Sequence, residues 1–122
     1  MNRPLALAAL LLLGGCASGK SSTYEWKAYE PSLYKFYRDP SSADEFTAKL
    51  AEAIAAGERD GKIAPGLYAE YGFMLMNAGR GKDAIVQFEK ERQRWPESRV
   101  LMDRMIKVAG NDAAMKTAGA RQ

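Results

Sequence analysis

The chain has 122 residues, room for one domain, with 18 Lys and Arg against 15 Asp and Glu and no histidine. The missing histidine excludes Ser-His-Asp and Cys-His catalysis and the usual zinc sites. The near balance of interleaved charges gives no nucleic-acid footprint, and Arg92, Arg94, Arg99 and Arg104 read as a solvated face.

The chain opens with Arg3, an apolar run from Leu5 to Leu13, and then Gly14-Gly15-Cys16. A basic start, a short apolar core and small residues before a break predict a secretory signal peptide over residues 1–15. The run is too short for a permanent membrane-spanning helix. Its removal takes away one cation, Arg3, and leaves an excess of two. Cys16 is the only cysteine, so no intramolecular disulfide can form.

Residues 17–23 are small and polar and read as a flexible tether. Tyr24 to Tyr29 alternates aromatic and polar at first, which predicts an extended segment laid on a surface. Tyr24, Trp26, Tyr29, Tyr34, Phe36 and Tyr37 are half of all the aromatics, within fourteen residues. They are either a hydrophobic cover for the domain or a partner-facing patch, since Tyr and Trp are favoured at interfaces.

The domain proper is expected over residues 31–109 as about five helical segments, all-α. Pro31-Ser32 opens a short helix that Asp39-Pro40 ends, because the residue before proline is pushed out of helical geometry. Ser42 with Glu45 three residues later reads as a capping box. Phe46, Leu50, Ala53 and Ile54 then mark one apolar face that Gly57 ends, before a polar loop over residues 58–62. Helices are expected from Leu67 to Asn77 and from Lys82 to Trp95, joined by a tight turn at Ala78-Gly79-Arg80-Gly81 and stopped by Pro96. Ser98 is expected to cap a last helix with Leu101, Met102, Met105, Ile106 and Ala109 inward. Gly110 stops it and leaves residues 110–122 as a flexible tail.

Two resemblances add to this reading. Leu13-Gly14-Gly15-Cys16 resembles the lipobox of bacterial lipoproteins, in which the cysteine sulfur takes a diacylglyceryl group and the freed amine is often acylated with a fatty acid such as palmitate. Two or more chains, at ~0.8 kcal/mol per buried methylene, hold a protein stably on a membrane. Ala17 stands where Asp commonly retains lipoproteins at the inner membrane, which implies the periplasmic side of the outer membrane. Pro65 to Ser98 spans 34 residues and resembles one tetratricopeptide repeat, with Tyr68, Tyr71-Gly72, Leu75, Ala84, Phe88 and Pro96 at its signature places. Glu91 departs, standing where the repeat has alanine. It needs either a loosely packed following helix or a basic partner.

The repeat resemblance implies antiparallel helical hairpins and a concave groove. Ala69, Phe73, Met76 and Asn77 would line it, with Asp103 and Lys107 joining from the following helix. Phe73 beside Met76 is either an anchor for a partner or a pair covered by the aromatic N-terminal segment. The wider chain also resembles an uncharacterised family of small bacterial lipoproteins. The resemblance rests on the stretches Leu33 to Pro40, Pro65 to Gly72 and Trp95 to Ser98. Members tend to be encoded beside lipoproteins similar to the curli secretion channel, which implies an adaptor bound to another envelope lipoprotein.

A regulator of a peptidoglycan enzyme is the alternative, and a hydrolase a weaker one. No catalytic residue, metal site or cofactor is expected beyond lipid on Cys16. Gly79-Arg80-Gly81-Lys82 lacks the spacing and preceding strand of a phosphate loop and reads as a turn.

Overall fold

A computed structural model describes residues 22–121, so the expected signal peptide, the lipobox-like motif, Cys16 and most of the expected tether lie outside the described residues. Among the described residues there are five α-helices and no strand: α1 Tyr29–Arg38, α2 Ala43–Asp60, α3 Leu67–Asn77, α4 Gly81–Arg94 and α5 Arg99–Gly119. Short 3-10 turns, Pro40–Ser42 and Pro96–Ser98, precede α2 and α5. Each helix packs on the next in chain order, α3 on α4 and α4 on α5 most extensively. Three residues join α3 to α4 and four join α4 to α5, so each packed pair must run antiparallel.

Two apolar clusters hold the stack. The first gathers Phe46, Leu50, Ala53 and Ile54 of α2 with Ile63, Leu67, Tyr68 and Met74. Leu33 and Phe36 of α1 and Trp95 close its sides. Phe36 stacks on Phe46 at 5.2 Å between ring centroids. The second joins Leu75, Ala84 and Phe88 to Met102 and Ala109. α3 contributes to both clusters and is the central element of the molecule.

The three-residue α3–α4 reversal uses Gly79 at φ +79°, open to glycine at no steric cost. Gly72 is needed for close approach: a Cβ there would lie 2.6 Å from Phe88 Cε1. Gly81 is needed too, since a Cβ would lie 2.8 Å from the Ala109 carbonyl oxygen. Both glycines of the Gly79-Arg80-Gly81 stretch are therefore accounted for by the turn and by packing.

Several expectations need correction. α5 does not stop at Gly110 but continues to Gly119. Beyond Gly110, Ala113 still packs on Gly81 of α4, and that contact outweighs one glycine's ~1 kcal/mol helix penalty. α2 likewise runs past Gly57 to Asp60 and turns at Gly61, φ +67°. Gly57 serves instead as the contact with Ile63, whose Cδ1 would lie 2.8 Å from an added Cβ.

The capping box at Ser42 is not formed: the Ser42 hydroxyl donates to the Asp39 carbonyl oxygen at 2.7 Å, and Glu45 pairs with Lys35. Asp39 does the capping, accepting from the Ser41 amide at 3.0 Å and starting the 3-10 turn one step earlier. Ser98 gives no side-chain cap to α5 either. Its hydroxyl points to Glu91.

The aromatic segment is only briefly extended. The Glu25 amide donates to the Lys62 carbonyl oxygen at 2.9 Å, and the Tyr29 amide to the Trp26 carbonyl oxygen at 2.8 Å, which starts α1 two residues before Pro31. Pro31 fits there because first-turn amides have no helical partner.

Candidate functional site

Ala69, Phe73, Met76 and Asn77 share one face of α3, by the three- and four-residue spacing of a helix. The other faces of α3 are occupied. Leu67, Tyr68 and Met74 enter the first cluster and Leu75 the second. Gly72 lies under Phe88, and Glu70 accepts a 2.7 Å bond from the Tyr29 hydroxyl of α1. On the remaining face, Ala69 and Met76 are half-buried against the second cluster, Asn77 is exposed, and Phe73 keeps 47 % of its surface in water.

The N-terminal aromatics do not cover this face. Tyr24 packs edge-on to Trp26 and Trp95, Trp26 on Tyr29, and Tyr29 on Phe46. They therefore wrap the first cluster, as a cover, and Phe73 stays open. Tyr34 and Tyr37 of α1 are the exceptions, 63 % and 82 % exposed, bordering a shallow hollow of about 360 Å³ with Glu30 and Leu33. Sequence reading placed all six aromatics together. The helical period of Leu33, Phe36 inward and Tyr34, Tyr37 outward is the signal that separates them.

Asp103 and Lys107 lie on the following helix, α5. Asp103 accepts from Arg92 of α4 at 2.8 Å and so serves the α4–α5 contact, while Lys107 is exposed on α5. The Arg92 guanidinium is held further toward its charged form by that bond. Arg92 is thus not a free member of a solvated basic face.

Glu91 has neither of the environments expected for it. It is fully buried, with no basic partner, beneath the start of α3. One carboxylate oxygen accepts from the Gly66 amide at 2.7 Å and from the Ser98 hydroxyl at 3.3 Å. The other has no hydrogen bond of ordinary geometry and faces the amides of Tyr68 and Ala69. Burial pushes the carboxyl up, and the amides and Ser98 pull it partly back. A carboxylate at a helix N-terminus satisfies orphan amides and meets the positive end of the helix dipole. Glu91 therefore ties three helices at one point, α4 to the start of α3 and to the approach of α5.

A second polar tie joins α2, α3 and α4. The Tyr68 hydroxyl donates to Glu58 Oε1 at 2.8 Å, and Lys90 donates to the same oxygen at 2.9 Å. The Lys90 bond holds the Glu58 carboxyl low. Burial, then the bond to Glu58, pushes the Tyr68 hydroxyl up to about 12. Sequence reading gave neither tie, because each partner lies 10 or more residues away in another element or loop, except Ser98, seven away.

No cluster of three or more His, Cys, Asp or Glu able to hold a metal occurs among the described residues. No helix among them is long and apolar enough to cross a membrane.

The fold and this face define the chain as an all-α protein of consecutive antiparallel hairpins, whose central helix presents an exposed aromatic between buried sides. The family model described as Domain of unknown function (DUF4810) matches residues 23–105, and the chain belongs to that family. The match takes in α1 to α4 and the first third of α5. No curated protein and no solved structure matches the chain.

Proposed function

We propose that the chain is an outer-membrane lipoprotein, anchored through lipid on Cys16, that faces the periplasm and binds another envelope lipoprotein through the Phe73 face of α3. The observation that carries the binding reading is Phe73 itself. The central helix of the molecule is covered on its other sides, yet it holds a phenylalanine about half exposed, next to the apolar surface of Met76 and Ala69. A partner that covered the ring would gain on the order of 1 kcal/mol from it, half the value of a full phenylalanine burial. The tetratricopeptide-like order of α3 and α4 supports the same face, since repeats of that kind present their first helix to partners. The lipobox-like Leu13-Gly14-Gly15-Cys16 supports the anchor.

The test is a photoreactive residue at Phe73 in living cells, with a control at exposed Glu52 of α2. Capture of one neighbouring lipoprotein from Phe73 and not from Glu52 supports the reading. Capture of nothing, or the same proteins from both sites, refutes the α3 face. Labelling with an alkyne fatty acid that is lost in Cys16→Ser tests the anchor separately.

A further inference from the structure

Among the described residues, eight large apolar side chains are exposed, and four of them, Val100, Leu101, Val108 and Met115, lie on α5. α5 packs on α4 and on the Pro96–Ser98 turn, through Met102, Met105, Ile106 and Ala109. A helix that ends a stack normally turns a polar face outward. Here Leu101, Val108 and Met115 recur at intervals of seven, the spacing that keeps one line of a helix facing a neighbouring helix. They are 57 %, 46 % and 66 % exposed.

The pattern is symmetric about Val108, and we infer that this stripe pairs α5 antiparallel with α5 of a second copy of the chain. A two-fold axis at Val108 sets Val108 against its own copy, and Leu101 and Met115, each seven residues from the axis, against each other. The same axis sets Arg104 opposite the second copy's Asp112, each four residues from it. Both lie beside the stripe, and neither is in an ion pair of the described structure. The pairing therefore forms two Arg104–Asp112 contacts along with the apolar ones. Self-complementarity of this kind is what a two-fold interface demands. A partner of unrelated sequence would have no reason to match opposite charges at equal distances from the central valine. Val108, Asp112 and Met115 lie outside the family-matched span. The inference does not depend on the lipid anchor or on the Phe73 face.

A contact of one helix face is small, at or below the ~1,200 Å² of weak interfaces, so the dimer is expected in the micromolar range. The test uses the full-length chain in detergent with a short bis-maleimide. Val108→Cys is expected to crosslink as a dimer. Leu101→Cys alone is not, because two copies of that position stand about 21 Å apart along the helices. Mixed Leu101→Cys and Met115→Cys chains are expected to crosslink to each other. Arg104→Glu should weaken the Val108→Cys dimer about tenfold, and Arg104→Glu with Asp112→Arg should restore it. Wild type, whose one thiol is Cys16, is the control: a wild-type dimer would show a free thiol and count against the lipid anchor, while the difference on adding Val108→Cys still reads the interface.

A Val108→Cys chain that stays monomeric with wild-type helicity overturns the inference. So does a Leu101→Cys chain that crosslinks to itself, or a charge swap that restores nothing.

Discussion

Replacing Gly72 by alanine puts the α3–α4 packing to a direct test. The new methyl carbon would lie 2.6, 2.8 and 3.1 Å from three carbons of the Phe88 ring. Carbon atoms rest at about 3.5–4.0 Å, so ring or helix must move by roughly 1 Å. Phe88 is fully buried in the second cluster, so its ring cannot swing out to solvent without cost. Overpacking of this kind costs about 1–3 kcal/mol, against a gain of about 1 kcal/mol from alanine's better helix propensity. The net expectation is a loss of about 0–2 kcal/mol, read as a fall of up to roughly 1 M in the urea midpoint at an m-value near 1–2 kcal/mol/M. Gly110→Ala is the matched control: also inside a helix, with no atom within 4 Å of the added Cβ. It should gain about 0.5–1 kcal/mol. Phe88→Leu in the Gly72→Ala background should recover part of the loss, a coupling of about 1 kcal/mol. If Gly72→Ala stabilises as Gly110→Ala does, α3 and α4 do not cross at this point and the hairpin is wrong.

Glu91→Ala should cost about 1–3 kcal/mol in urea unfolding, by leaving the part-buried Gly66 amide without its acceptor, and Glu91→Gln clearly less. Folding raises the Glu91 carboxyl, so its contribution is most favourable below the ordinary carboxylate range and declines as pH rises through the raised value. The stability of wild type minus Glu91→Gln should therefore fall from pH 4 to pH 8, and a flat difference would contradict the buried carboxylate. Glu58 has the opposite sign: its depressed carboxyl stabilises above the ordinary range and loses that effect as pH falls. Lys90→Ala should weaken this acid-side dependence in unfolding curves between pH 3 and 6. Tyr29→Phe should cost about 1 kcal/mol, by removing the 2.7 Å bond to Glu70 between α1 and α3.

Helices and their inward faces were largely legible in the sequence, because apolar spacing is local. α3 runs from Leu67 to Asn77, as its period indicates, and α4 differs from expectation by one residue at each end. Stops were read less well, because a glycine's effect depends on what it touches. Gly57 and Gly110 share one letter and one expected role. One is a contact with Ile63, and the other is carried through by packing on either side of it. Caps failed for a similar reason: Asp39, Ser41 and Ser42 all lie within reach of one turn, and the 3-10 geometry decides which of them accepts. Of the proposed α3 face, Phe73 was legible as an outward aromatic. The destination of Asp103 was not, since Arg92 lies on another helix.

Glu91 shows how one departure from a repeat pattern changes the mechanics of the stack. Alanine at that place would let α5 approach α4 through apolar contact alone. A buried carboxylate instead requires donors, and it finds the Gly66 amide before α3 and the Ser98 hydroxyl before α5. The hairpin and its next helix are then held at one point by directional bonds as well as by area. Gln87 Oε1, one turn earlier on α4, and Trp95 Nε1, just past its end, are buried without protein partners as well. Each unmet bond of this kind costs about 1–3 kcal/mol unless water reaches it. The Glu91 bonds are directional, so they set the turn from α4 into α5 more strictly than apolar contact alone would.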